Sequence, residues 1–150
     1  MTGELPATPG SYALVFRNPV SRRVRVGALG DVEIRPGFLI YVGSAFGPGG
    51  IRARVTRHAR TTKKLRWHID YLRRCLSLEE VWLTTATERL EHAWADRLGT
   101  ELDVAWPRFG ASDCRCATHL FFSPEHPTIA LIDGDILLFP PRSVLTNDLY

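Results

Sequence analysis

The stretch FLIYVGSAFGPGGIRARVTRH, from Phe38 to His58, indicates the fold of this 150-residue chain. It begins with an apolar segment, Phe38 to Val42, whose aromatic and β-branched residues favour a β-strand. Glycines at positions 43, 47, 49 and 50 follow and allow the backbone a tight approach. A helix predicted over 51–60 then carries three arginines in its first turns. A strand, a glycine bend and a basic helix in this order indicate a site for a negatively charged group.

Further elements are predicted on both sides of this unit. In the N-terminal half we expect a β-meander, and after the basic helix two helices, a strand and a hairpin. The apolar runs and turn signals place strands at 12–16, 24–29, 32–34, 38–42 and 80–85, and helices at 51–60, 65–76 and 87–98. Thr87 is the expected cap of the last helix, which Gly99 would end. Asp133-Gly134 between two apolar runs predicts a hairpin over 128–139.

These elements predict an α+β fold: a small antiparallel β-sheet flanked by helices in the order β-β-β-α-α-β-α, with a C-terminal β-hairpin extension. Length and composition favour one domain over residues 1–150, with a core at about 10–123 and the extension at about 124–150. The sequence shows neither a membrane span nor a signal peptide, so we expect a cytoplasmic protein without a membrane partner. Three cysteines, an odd number, favour reduced thiols or metal ligands over disulfides.

Positive charge is concentrated in one part of the chain. The net charge is only +3, but residues 51–74 contain nine basic residues and a single acid, Asp70. A segment of this kind suits contact with phosphates, although a solvated helix face has the same composition. The predicted nucleic-acid contacts are Arg52, Arg57, Arg60, Lys63, Lys64, Arg66 and His68.

Two short motifs stand about 30 residues apart on predicted strands. They are GSY, from Gly10 to Tyr12, and IYVG, from Ile40 to Gly43, and a helix with Arg54 and His58 follows the second. This ordered set resembles the GIY-YIG nuclease family. The segments WHIDY, ERLEHAW and FGASDCRCATHLFF extend the likeness to its small stand-alone branch, DUF123 or the Uri-type endonucleases.

The resemblance implies an endonuclease that uses a divalent metal, commonly Mg²⁺, with Mn²⁺ as a substitute. Tyr12 and Tyr41 would transfer protons and position water, Arg54 would bind the scissile phosphate, and His58 would shuttle a proton or orient a tyrosine. The family's metal ligand is a glutamate on a later helix. We favour Glu91, because EHAWA resembles the family pattern, and we retain Glu88 as the alternative.

The same roles follow from the chemistry of phosphodiester hydrolysis, which needs a proton acceptor, a cation for the developing charge and help for the leaving oxygen. A phenol ordinarily has a pKa near 10, so a tyrosine base needs a nearby positive charge, which arginine supplies. Arginine also binds phosphate with two hydrogen bonds.

DNA, duplex or branched, is the expected substrate. The sequence contains no recognisable zinc finger or helix-turn-helix, which favours structure-selective or weakly specific cutting. Two positions depart from the family pattern: Ser11 replaces a common isoleucine, and Ser44 follows the second motif where many members have lysine or another polar group. The alternative is a nucleic-acid-binding or accessory protein that keeps the fold without turnover.

The segment DCRCATH, from Asp113 to His119, combines thiol and imidazole groups. Cys114, Cys116 and His119 could bind structural Zn²⁺ with Cys75 or another histidine as the fourth ligand. Buried free thiols are one alternative, and an active-site wall formed by Asp113 and His119 is another. A zinc site would also allow a third function, that of a small zinc-stabilised interaction domain.

Overall fold

The computed structural model describes residues 4–111 and 114–145. It has the element order ββββααβαβββα. The strands are β1 (Gly10–Asn18), β2 (Arg22–Arg25), β3 (Asp31–Ile34), β4 (Gly37–Ala45), β5 (Ser77–Thr84), β6 (Asp103–Val104), β7 (Leu120–Ser123) and β8 (Leu137–Phe139). The helices are α1 (Gly50–Ala59), α2 (His68–Leu72), α3 (Glu91–Glu101) and α4 (Arg142–Leu145). The predicted α+β class, a small sheet flanked by helices, is confirmed.

Six strands form one antiparallel sheet in the order β6-β7-β4-β1-β5-β8. Its central strand, β1, is buried on both faces because hydrophobic residues cover the sheet from two sides. On one face Leu14 and Phe16 pack in a cluster with Val55 of α1. On the other face Val15 packs in a cluster with Trp94 of α3. Burial on both faces explains why β1 reads as a nearly continuous apolar run rather than an alternating one.

Two predicted strand pairings are wrong. The N-terminal meander is not formed, because β2 and β3 pair only with each other in a separate two-stranded sheet, and β1 pairs with β4 and β5. The hairpin over 128–139 is not formed either. Residues Ile129–Leu131 make a 3₁₀ turn, and β8 adds to the edge of β5 instead. The exposed backbone edge of β5 offers β8 hydrogen bonds that outweigh the local Asp133-Gly134 turn signal.

Two helices begin later than predicted. The helix expected over 65–76 is α2 at His68–Leu72 with a 3₁₀ turn at 73–75, since the Asp70 carboxylate accepts the N–H groups of Arg66 and Trp67 and holds them outside the helix. The helix expected from Thr87 is α3, which begins at Glu91. The buried Ser11 hydroxyl accepts the Leu90 N–H, and the helix continues through Gly99. None of the helices described over 4–111 and 114–145 is long and apolar enough to cross a membrane.

Candidate active site

A cleft of about 290 Å³ opens beside one end of the β1–β4 pair. All five residues that we predicted to be catalytic line it: Tyr12, Tyr41, Arg54, His58 and Glu91. They come from β1, β4, α1 and the first residue of α3, so their side chains meet only in the folded chain. The cleft therefore gathers two phenols, a guanidinium, an imidazole and a carboxylate in one volume.

The two tyrosines lie on the same face of adjacent strands. In the antiparallel register Tyr12 lies opposite Gly43, and Leu14 lies opposite Tyr41, which makes the two phenols diagonal neighbours. Gly43 is required by this arrangement, since a Cβ atom at position 43 would overlap the Tyr12 hydroxyl. The glycine of the second motif thus makes room for the tyrosine of the first.

The Tyr12 hydroxyl and His58 Nε2 are 2.8 Å apart and form a buried hydrogen bond. Burial lowers the pKa of His58 to about 3, helped by the positive charge of Lys63, so the imidazole is neutral at neutral pH. Burial also raises the pKa of Tyr12, and the neighbouring Tyr41 raises it further. Burial outweighs the opposing effect of Arg54, so the Tyr12 phenol is protonated in the resting protein, and arginine does not activate it as expected of a tyrosine base.

Arg54 lies on α1 behind the glycine bend. Gly49 and Gly50 have φ of 84° and 58°, which places them in the left-handed region and lets the chain turn sharply into the helix. The guanidinium of Arg54 stacks on Trp67, 4.6 Å from the ring centroid, and Nη1 donates to the Ser44 carbonyl at 3.1 Å. Stacking and one hydrogen bond hold the planar group at the cleft with donors left for a phosphate.

Glu91 is held by two neighbours. The Ser44 hydroxyl donates to one carboxylate oxygen at 2.7 Å, and His119 Nδ1 lies 3.3 Å from the other. Burial raises the pKa of Glu91, but the hydrogen bonds from His119 and Ser44 outweigh it, and the pKa lies below its ordinary value. An ionised carboxylate on an open cleft fits Mg²⁺, which commonly binds one or two carboxylates and keeps several waters. Glu88, the alternative ligand, is exposed and is not among the residues that line the cleft.

The predicted nucleic-acid contacts fall into two groups: side chains that bond to other parts of the protein, and side chains that are exposed. Arg57 donates twice to Asp70 at 3.0 and 2.9 Å, and Lys63 donates to the carbonyls of Arg57 and His58 at the end of α1. Two others also have partners within the protein. Arg52 donates to the Leu5 carbonyl, and His68 accepts the Gly110 N–H. The second group, which is exposed, consists of Arg60, Lys64 and Arg66.

The thiol and imidazole groups of the 114–119 segment converge beside Glu91. Cys114, Cys116, His119 and His92 each offer one ligand atom, and these atoms all lie within 4.8 Å of one another. Cys75, which we considered as the fourth member, is not part of this group; His92 of α3 occupies that place. No disulfide links the three cysteines, all of which lie in the described residues. Asp113, the other expected wall residue, lies outside them.

Sequence reasoning did not assign three contributors to the cleft. Ser44 orients Glu91, Trp67 supports the guanidinium of Arg54, and His92 joins the cysteine group. Ser44 and His92 directly follow Gly43 and Glu91 in the chain. Their proximity to motif residues was the only sequence signal for a place at the site. It could not predict their contacts, because each contact joins segments more than ten residues apart.

The fold and cleft define a class of α+β protein in which two tyrosines on adjacent strands share a cleft with an arginine and a glutamate from two different helices. Comparison with protein families gives a match to the model described as "Domain of unknown function DUF123" over residues 11–133. The chain belongs to this family. The matched span includes both tyrosines, Arg54, Glu91 and the cysteine–histidine group. No curated protein and no solved structure matches the chain.

Proposed function

We propose that this protein is a divalent-metal-dependent endonuclease that hydrolyses DNA phosphodiester bonds, and that the cleft is its active site. One observation carries the proposal: the five residues named from the GIY-YIG resemblance line a single cleft although they are spread from position 12 to position 91. Each has a chemistry that phosphodiester hydrolysis uses.

Arg54 binds the scissile phosphate. Its guanidinium is held against Trp67, so little side-chain freedom is lost when it forms two parallel hydrogen bonds to phosphoryl oxygens. The same positive charge stabilises the negative charge that develops on these oxygens during attack.

Tyr12 and His58 act as a proton relay. The Tyr12 oxygen takes a proton from the attacking water while its own proton passes to His58 Nε2, 2.8 Å away. The low pKa of His58, about 3, leaves its imidazole neutral at neutral pH, so Nε2 has a lone pair for that proton. The same low pKa means that the imidazolium holds the proton only transiently. Tyr41, whose ring packs edge-on against His58, positions the water. The relay needs no phenolate in the resting protein.

Glu91 is the residue that would hold Mg²⁺ or Mn²⁺ in this cleft. An ion held there would supply Lewis-acid stabilisation of charge on the phosphoryl and leaving oxygens. Ser44 and His119 orient the carboxylate and keep it ionised.

The test compares wild type, Arg54→Ala and Glu91→Gln on duplex, nicked, flapped, branched and single-stranded DNA, each with Mg²⁺, Mn²⁺ or EDTA. We expect metal-dependent cleavage by wild type, with a rate at least about 100-fold lower in both variants, since each loses a charge that acts in the transition state. Glu91→Gln should still bind DNA. Glu88→Gln is the matched control, because it removes an exposed carboxylate three positions away and should cut normally.

Binding to DNA without cleavage under any of these conditions would contradict the nuclease and favour the non-catalytic accessory protein. Unchanged metal-dependent cleavage by Glu91→Gln would contradict the metal role of Glu91. Strong dependence of binding on salt is expected of both functions, so cleavage is the discriminating readout.

A further inference from the structure

Beside the cleft lies a second group of potential metal ligands with different chemistry. His92, Cys114, Cys116 and His119 offer two imidazoles and two thiols, all within 4.8 Å of one another. In a tetrahedral zinc site with bonds of about 2.0–2.3 Å, neighbouring ligand atoms are about 3.3–3.8 Å apart. The largest separation in the group thus exceeds that of a zinc site by about 1.0–1.5 Å at most. We propose that these four residues bind one Zn²⁺ that holds the wall of the cleft in place.

His119 has the orientation and tautomer of a metal ligand. Its Nδ1 lies 3.2 Å from the Val42 carbonyl and 3.3 Å from the Glu91 carboxylate, so this nitrogen carries the proton and donates. Its Nε2 therefore presents a lone pair, and it lies 3.2 Å from Cys114 Sγ. A hydrogen bond from the second ring nitrogen to a carbonyl or carboxylate commonly orients a zinc-binding histidine.

The local backbone allows the two thiols of the Cys-x-Cys pair to bind one ion. In a strand these thiols would point the same way along an extended chain and would fit one ion only by distortion. The segment 114–119 is irregular, and β7 begins after it at Leu120. The two sulfurs can therefore face one centre, with His119 on the same loop and His92 on α3 closing the site.

The donor set selects the ion. Two thiolates and two imidazoles in a tetrahedron are typical of Zn²⁺, whereas Mg²⁺ requires oxygen ligands. Binding releases the two thiol protons, and the two thiolates then neutralise the charge of the ion. Four protein ligands leave no open position, so this ion is structural and distinct from the Mg²⁺ expected at Glu91.

The zinc would connect the 114–119 segment to the start of α3. His119 contacts Glu91 directly, and Gly110, which precedes this segment, lines the cleft and donates to His68. Loss of the ion would free both segments and displace Glu91. This consequence for catalysis rests on the proposed function, whereas binding of the metal does not.

The test measures metal in the full chain without DNA. Elemental analysis should give one zinc per chain for wild type and for Cys75→Ser, the control that removes the cysteine outside the group. Cys114→Ser and Cys116→Ser should lose the zinc, and His92→Ala should bind it at least about tenfold more weakly. Co²⁺ in place of zinc should show the visible bands of tetrahedral coordination and thiolate-to-cobalt charge transfer.

A second measurement avoids unfolding of the variants. In wild type, zinc should protect Cys114 and Cys116 from alkylation, as mapped by mass spectrometry, and leave the rate at Cys75 unchanged. A protein that folds without zinc and binds Co²⁺ without thiolate charge transfer would overturn the proposal, as would equal protection of all three cysteines. A protein that binds zinc but never cuts DNA would support the zinc site and contradict only the proposed nuclease function.

Discussion

At the scale of single residues, the Tyr12–His58 pair shows how burial changes the expected chemistry. The sequence predicts that arginine lowers the pKa of a tyrosine. In the fold both partners are buried, and burial favours their neutral forms. A neutral pair joined by a hydrogen bond can move a proton from Tyr12 to His58 Nε2 during the reaction, so no phenolate is needed beforehand.

The neutral state of His58 predicts how stability depends on pH. The unfolded imidazole, with a pKa near 6.5, binds a proton that the folded one, with a pKa of about 3, does not. Its contribution is therefore complete above pH 6.5 and is lost as pH falls. Between pH 7 and pH 5 we expect His58 to account for about 2 kcal/mol of lost unfolding free energy. Denaturant unfolding at both pH values measures the loss.

Wild type and His58→Gln are compared for the unfolding free energy that each loses between pH 7 and pH 5. The difference between the two losses is the contribution of His58, because glutamine is not protonated in this range. The charges that act on His58 come from Lys63, Asp70, Arg54 and Arg57, and they remain in the variant. His126→Gln, which removes a half-exposed histidine outside the cleft, is the control for the loss of an imidazole as such. An equal loss in wild type and His58→Gln would contradict a buried neutral imidazole.

At the scale of elements, Asp70 organises the connection between α1 and α2. Its fully buried carboxylate accepts two hydrogen bonds from Arg57 and one each from the N–H groups of Arg66 and Trp67, with Lys63 Nζ 3.5 Å away. This single acid among nine bases therefore sets where α2 begins. It also places Trp67 under Arg54, which links the connection to the cleft.

Replacing Asp70 with asparagine should destabilise this connection. The change leaves the partly buried Arg57 and Lys63 without a countercharge, and we expect a loss of about 3 kcal/mol in unfolding free energy. Denaturant titration measures it. The exposed Asp133→Asn is the control and should stay within about 0.5 kcal/mol of wild type. A loss as small as that of the control would show that the charges are solvated rather than paired.

At the scale of the whole molecule, the basic segment divides into structural and exposed charges. Arg57 and Lys63 hold α1 and α2 together, while Arg60, Lys64 and Arg66 are exposed on the same part of the chain. Only exposed charges can release counterions when DNA binds. We therefore expect Arg60, Lys64 and Arg66 to contribute most of the salt dependence of DNA binding.

We expect the combined variant Arg60→Gln, Lys64→Gln and Arg66→Gln to bind duplex DNA more weakly. The slope of log affinity against log salt should be shallower by up to about 3, since each phosphate contact contributes about 0.9. Fluorescence anisotropy without added divalent metal measures the affinity and the slope. The charge-matched control, Arg17→Gln with Arg23→Gln and Arg25→Gln, removes exposed arginines outside the cleft lining. Equal effects of both variants would contradict a DNA path along 60–66.

The sequence determined the local part of this picture. Strand propensity located β1 and β4, and the spacing of the two motifs put Tyr12 and Tyr41 on them. The four-residue interval between Arg54 and His58 put both on one helix. These inferences succeed because propensity and periodicity act over a few residues and do not depend on what the rest of the chain does.

Only the tertiary structure decided which segments meet. The strand pairing of β1, the capture of Arg57 and Lys63 by Asp70, and the contacts of Ser44 and His92 all join residues that local patterns cannot relate. The late start of α3 likewise depends on Ser11 of β1. The physical reason is that long-range pairing follows from the burial of apolar faces and from the cost of leaving a buried charge or N–H group unpaired. Both quantities belong to the folded chain as a whole.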